Sequence, residues 1–210
     1  MLKKIIPAVC LAVLVFGGVI KAGYWYPISV NSSWDYEGYF KADPKKTLKV
    51  KAVIAEEREI DGKNYFFYNV PGFDVRFFVR TEDDGGYMKL IRYPYPLFKF
   101  LSYDVVLKKE VLFVKYPFVA GEKWHQETQA AAMLWPIVIN RKVKMDFETV
   151  EVKKVLFKSE EKDAWHVRIV MDQGDGKPKE ENHWYIDGEG YVGGETAEHK
   201  VMQSGLKFKD

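Results

Sequence analysis

Three short stretches of this 210-residue chain occur twice, in the same order. Tyr26–Trp34 (YPISVNSSW) returns as Tyr116–Trp124 (YPFVAGEKW). Thr47–Val53 (TLKVKAV) returns as Thr149–Val155 (TVEVKKV), and Asp83–Met88 (DDGGYM) as Asp187–Val192 (DGEGYV). The spacings are informative. Thr47 to Tyr87 is 40 residues and Thr149 to Tyr191 is 42, whereas Trp34 to Thr47 is 13 and Trp124 to Thr149 is 25. One insertion in the second copy accounts for most of that offset. A period of about 100 residues is far longer than a solenoid or propeller repeat. The chain therefore reads as two related half-domains, 23–112 and 113–210, behind residues 1–22.

Those first 22 residues look like an export leader. Met1-Leu2-Lys3-Lys4 is followed by an apolar run from Ile5 to Ile20 and then Lys21-Ala22-Gly23. A basic start, a short apolar core and a small residue at a cleavage point are the parts of a secretory signal. Cleavage after Ala22 is expected. The rival is an uncleaved anchor, but the run reaches only about 24 Å as a helix, short of a hydrocarbon core of about 30 Å. Cys10, the sole cysteine, lies inside the run behind Val9 and not at its end. The exported part then has no thiol, which excludes disulfides, thiolate metal sites and cysteine nucleophiles. Of 32 basic residues three lie in the leader, leaving 29 against 30 acidic ones. No basic block suggests nucleic acid.

Alternation dominates beyond the leader. Leu48, Val50, Ala52 and Ile54 fall on one side of a strand with Lys49 and Lys51 opposite; Trp165, Val167, Ile169 and Met171 alternate with His166 and Arg168. Such period-2 sets each occupy one face of a sheet. Between them lie turn residues: Asp61-Gly62, Asp83-Asp84-Gly85-Gly86, Asp172-Gln173-Gly174-Asp175-Gly176 and Asp187-Gly188-Glu189-Gly190. Strands joined by such turns form an antiparallel meander. The best helix candidate is Glu122–Leu134, with three alanines at 130–132 and Pro136 as its stop; the alternative there is a strand over Met133–Ile139. Tyr93–Pro117, between the copies, is rich in large apolar residues. Pro94 and Pro96 argue against a regular helix or a central strand. It is expected either to plug the sheet or to form an exposed contact surface.

No catalytic constellation stands out. His125, His166, His183 and His199 show no metal-pair spacing, and there is no nucleophile elbow or P-loop. Asp172–Gly176 lacks the glutamate that a calcium loop needs at its twelfth position. Asp83 and Asp187 could serve acid–base chemistry, but both sit in turns. The unusual component is aromatic: 6 Trp, 13 Tyr and 14 Phe, 16% of the chain. They suit a β core and also a cavity for an apolar ligand.

The openings Tyr26-Pro27…Trp34 and Tyr116-Pro117…Gly121…Trp124 resemble a Y-P-L-x-x-G-x-x-W element of exported bacterial β-rich proteins and lipoproteins of unknown function. The closing Trp184–Val192 strand and turn is similar to theirs. The resemblance implies β hairpins after each opening. Asn31 stands where that pattern has glycine, and the lipid-attachment cysteine is missing. No catalytic residue can be carried over.

The expectation is a mainly β protein: antiparallel sheets from two related units forming a sandwich or an open barrel or half-barrel, with at most one short helix. It would be exported to the periplasm or beyond without an obvious lipid anchor, non-enzymatic, and free of cofactor and metal. Its partner would be an apolar small molecule or lipid, held by Trp34, Trp124, Tyr93, Tyr95, Phe98 and Phe100. The alternative is an assembly module that uses 93–117 to contact an envelope protein or the membrane surface; a hydrolase with a scattered site ranks below both.

Overall fold

A computed structural model describes residues 29–70, 75–94, 102–134, 137–174 and 177–209. The leader and its cleavage point, Cys10, Tyr26-Pro27, and Tyr95, Phe98 and Phe100 lie outside the described residues. Thirteen strands follow one another: β1 (Ser33–Phe40), β2 (Asp43–Ile60), β3 (Lys63–Val70), β4 (Val75–Glu82), β5 (Gly85–Pro94), β6 (Ser102–Lys115), β7 (Lys123–Leu134), β8 (Ile137–Phe157), β9 (Glu160–Asp172), β10 (Lys179–Ile186), β11 (Gly190–Glu195), β12 (His199–Gln203) and β13 (Lys207–Phe208). Each of the first eleven pairs antiparallel with the next, and β12 pairs with β1, so the sheet closes on itself. The result is a closed twelve-stranded barrel: of the two expected forms the barrel holds, closed and not open, and the sandwich does not. The extra strand β13 pairs with β8.

The alternating sets fix the inside and outside of this barrel. Val50, Ala52, Ile54, Phe77, Val79, Met145, Phe147, Val167 and Ile169 are buried in one continuous core. Their sequence neighbours Lys49, Lys51, Lys144, Asp146 and Arg168 are exposed. A lipid-embedded barrel has the opposite arrangement, apolar outside and polar within. Two smaller apolar clusters sit on the outer wall. Val155, Phe157, Trp184 and Val192 form one; Phe208 of β13 covers it, its ring edge-on to Trp184 at 4.8 Å. Tyr65, Phe67 and Phe78 form the other.

Strands β1–β6 and β7–β12 follow the same pairing plan. Asn31 N–H donates to the carbonyl of Ile54 and Ile54 N–H to Ser32. Gly121 and Thr149 repeat this, with Thr149 N–H donating to Glu122. Asn31 and Gly121 both have positive φ, 75° and 80°. A bulge follows each site, at Ile54/Glu56 and at Thr149/Glu151. The register corrects two of the sequence echoes. Thr149 occupies the place of Ile54, not of Thr47. Tyr191 opposes Tyr185 as Met88 opposes Val79, so Tyr191 faces the core while Tyr87, one residue earlier than Met88, faces out.

The segment expected as a helix is strand β7. It pairs with β8 over its whole length, Lys123↔Glu148 to Leu134↔Ile137. Thr128 and Ala130 are buried between exposed Glu127 and Gln129. Ring closure needs a strand there, and that tertiary demand outweighs the alanines' local preference. The insertion lengthens a hairpin. The seam also differs from expectation. Tyr93 and Pro94 end β5, where Pro94 opposes Ser102 in the last pair, and residues 102–115 form a regular strand inside the ring. Proline costs little at a strand end, where no further ladder bond is needed.

Candidate functional site

The barrel has a mouth end, with the β2–β3, β4–β5, β6–β7, β8–β9, β10–β11 and β12–β13 connections, and a distal end with the others. Four large aromatics face inward near the mouth and are only partly buried: Trp34 on β1, Phe66 on β3, Trp124 on β7 and Trp165 on β9. Trp34 stacks on Tyr68 at 5.7 Å and 11°. Trp124 lies parallel to Phe147 at 5.0 Å and 3°, and its indole N–H donates to the Leu112 carbonyl at 2.9 Å. Offset stacking of this kind holds an aromatic face in place without closing its other side.

The structure thus brings Trp34 and Trp124 to one end, on strands half the ring apart. It does not bring Tyr93 to them. Tyr93 is at the distal end, buried and stacked on Tyr103 at 5.6 Å. Phe66 and Trp165 were not among the expected site residues. Trp165 was visible in its alternating strand, but nothing in the chain order placed either residue beside a mouth.

In the first half (β1–β6) the mouth opens into a cleft of about 880 Å³. Phe66 lies in its wall with Glu57, Lys63, Asn64, Thr81 and Glu82, and Ser29 and Val30 complete the rim. Thr81 is buried, and its hydroxyl has no hydrogen-bond partner. A buried hydroxyl left unpaired costs on the order of 1–3 kcal/mol, so a ligand group able to bond it would be favoured there.

Arg80 lies in the same wall and is held by carboxylates. Its guanidinium donates to Glu110 at 2.6 Å and to Glu82, and lies 4.2 Å from the Tyr87 ring centre. Glu110 also accepts from Tyr65 and from Lys63 at 3.1 Å. Burial alone would raise the Glu110 pKa, but hydrogen bonds from Arg80, Tyr65 and Lys63 hold it down at about 2. The arginine is therefore neutralised by its neighbours, and the cleft does not present a bare cation to an anionic ligand. Its chemistry is amphipathic: an aromatic wall, an unpaired hydroxyl and an amide.

In the second half (β7–β12) the mouth is filled. The connection from β6 to β7 carries Phe118, buried against Trp165 at 5.6 Å, Tyr185 at 5.8 Å and Tyr116 at 5.7 Å. Tyr116 spans two turns: its N–H donates to the Asp84 carbonyl at 2.9 Å and its hydroxyl to the Asp187 carboxylate at 3.2 Å.

The interior of the second half is also polar. Glu181 and His183 face the core on β10, with Nε2 of His183 3.5 Å from Glu181; its Nδ1 is 3.2 Å from the Tyr185 hydroxyl. Burial pushes the Glu181 carboxyl well above its ordinary range and His183 down to about 3, which leaves the imidazole neutral near pH 7. His166, expected on the solvent face, is on the outer wall but stacks on Trp184 at 4.5 Å. His125 is exposed and pairs with Asp146 at 2.7 Å. Among the described residues no three His, Cys, Asp or Glu side chains are placed to share a metal ion.

No family model matches the chain, and no curated protein does. Among solved structures it is similar to a protein of Parabacteroides distasonis ATCC 8503 provisionally described as a lipoprotein. That likeness has TM-score 0.46 and 13% identity, over 90% of this chain and 100% of the other. It is also similar to the hypothetical lipoprotein YmcC of Escherichia coli K12, with TM-score 0.40 and 8% identity, over 93% and 92% of the two chains. Both likenesses are loose.

Proposed function

We propose that this protein is a non-enzymatic, exported cell-envelope protein that holds an amphipathic apolar ligand at the mouth of its barrel. The observation that carries this reading is the half-buried, inward-facing Phe66 in the wall of the cleft, with Trp34 on β1 at the same mouth. Pockets for small apolar molecules have this make-up: an apolar wall and a few placed polar groups. Here Phe66 would contact the ligand's apolar body, and the Thr81 hydroxyl and Asn64 amide its polar end. The basic and apolar start of the chain supports export. Among the described residues the alternative of an assembly module is supported by the exposed Val106 on β6, while Tyr93 and Tyr103 are buried.

The test is to purify the exported protein without detergent and analyse an organic extract by mass spectrometry. A stoichiometric apolar molecule is expected, and Phe66→Ala with Trp34→Ala should lower its occupancy at unchanged thermal stability. An empty protein that also takes up no acyl-chain or sterol probe would sink the reading. If the variants lose stability but keep the ligand, the aromatics are core and the ligand sits elsewhere.

A further inference from the structure

At the distal end one hairpin leaves the barrel. β7 and β8 remain paired to each other through Ala132↔Ile139, Met133↔Val138 and Leu134↔Ile137. Strand β9 joins β8 only from Lys144 onward, so among the described residues 137–141 have a paired strand on one side alone. Alternation stops at the same place. From Ala130 to Ile139 the sequence carries no polar side chain, whereas Lys123–Gln129 alternates. Met133 is 64% exposed, Val138 56% and Ile137 44%.

These side chains lie on both faces. Met133 and Val138 oppose each other on the outer face, which Val106, 40% exposed, continues through its partner Ala131. Ile137 and Ile139 lie on the other face, in line with Ala132. A protein groove or a second barrel would cover one face of such a hairpin and leave the other wet. A medium apolar on every side covers both. The stem then turns basic: Arg141, Lys142 and Lys144 follow Asn140 on β8, against Gln129 and Glu127 on β7. Lys142 pairs with Glu127 at 2.6 Å, which leaves the stem with an excess of positive charge.

We propose that the β7–β8 hairpin docks the barrel on an anionic lipid bilayer. Its apolar tip enters the acyl boundary, and Arg141 and Lys144 lie at the depth of the head groups. The dimensions agree. Five strand residues, Ala130 to Leu134, span about 16 Å, enough for the roughly 5–10 Å depth of an interfacial element and short of the roughly 9–11 residues per strand that a spanning barrel needs. The charged outer wall of the remaining strands keeps the rest of the barrel in water. This surface is separate from the mouth and does not depend on what binds there.

The experiment is flotation of the exported protein, purified without detergent, with two kinds of vesicle: phosphatidylcholine alone, and phosphatidylcholine mixed with phosphatidylglycerol. Binding to the anionic vesicles is expected, weaker at high salt and weaker on neutral ones. Met133→Asp with Val138→Asp should reduce that binding by about tenfold or more, while Met133→Leu with Val138→Ile keeps it. Arg141→Gln with Lys144→Gln is a second probe that leaves the tip intact; it should abolish the preference for anionic vesicles. Wild-type protein that floats with neither vesicle overturns the proposal. So does an aspartate variant that folds and floats like wild type. A wild-type dimer that ignores vesicles and that the aspartate pair breaks assigns the tip to a second copy instead.

Discussion

Strands β4 and β10 occupy the same place in the two halves and carry different interiors. Phe77 opposes Tyr68 on β3, and His183 opposes Val167 on β9. Two residues later Val79 stands in register with Tyr185. The half with the hydrocarbon wall has an open cleft at its mouth. The half with the buried carboxyl and imidazole has its mouth filled by Phe118. The backbone plan is common to both: a positive-φ residue before the first strand of each half, a bulge one strand later, a two-residue turn at the mouth. What fills the plan is free to differ. A closed ladder needs its turns and bulges in register, whereas an interior position needs only volume and satisfied polar groups.

Three experiments would break or sharpen this contrast. Phe118→Ala should empty the second mouth and cost about 3–5 kcal/mol by urea unfolding, the usual range for a deleted buried phenyl ring. A loss below about 1 kcal/mol would mean that Phe118 lies over the mouth without filling it.

The buried polar pair should appear as opposed pH dependences. His183 is depressed in the folded protein to about 3, from an ordinary 6.5. The stability linked to it is present above 6.5 and lost as pH falls toward 3. His183→Phe, which installs the residue found on β4, removes that loss. Its advantage over wild type should widen by about 1.4 kcal/mol per pH unit on acidification below about 6. Glu181 is raised from 4.5, so its linked stability is present below 4.5 and lost as pH rises through the folded value. Glu181→Gln should therefore gain on wild type as pH rises. Urea unfolding at a series of pH values checks both, and curves that stay parallel to wild type would show that neither group is held neutral.

The smallest effect concerns the positive-φ sites. Asn31→Gly should stabilise and Gly121→Asn destabilise, each by under about 1 kcal/mol, because glycine adopts this conformation without a Cβ penalty. Thermal melts of the two variants should shift in opposite directions. Shifts of the same sign would separate the two sites that the pairing plan equates.

Much of the strand content was legible, because one face of each strand is buried and alternation records it. Leu48–Ile54 and Trp165–Met171 read directly. So did the Asp61-Gly62 turn, whose φ values of 53° and 74° are those its residues favour. The matching turn at Lys158-Ser159 takes φ of 52° and 69° with no residue that announces it. β7 was hidden because its alanines prefer a helix and only ring closure makes them a strand. Closure itself pairs Tyr36 with Gln203, through a five-residue β12 too short to show a period. For the site, Trp34 and Trp124 stood out as rare residues in echoed openings. The Arg80–Glu110–Tyr65 group could not be read, since three strands bring it together across separations of 30 and 45 residues.

The ring is a meander with a single non-local joint. Every ladder but one, apart from the short β13, links strands adjacent in sequence, and the exception is the five pairs from Tyr36↔Gln203 to Phe40↔His199. Gly38 lets that joint close: a Cβ there would lie 1.9 Å from the Lys200 carbonyl oxygen. Beside it Ser204 N–H donates to the Asp35 carbonyl at 2.9 Å. Hairpins can thus form one after another at low contact order, with closure as the last and slowest contact. The same adjacency makes the molecule a good subject for circular permutation. A linker from Lys209 to Ser29, with new termini in the Lys41-Ala42 turn, would turn the joint into one more local hairpin and leave every ladder in place.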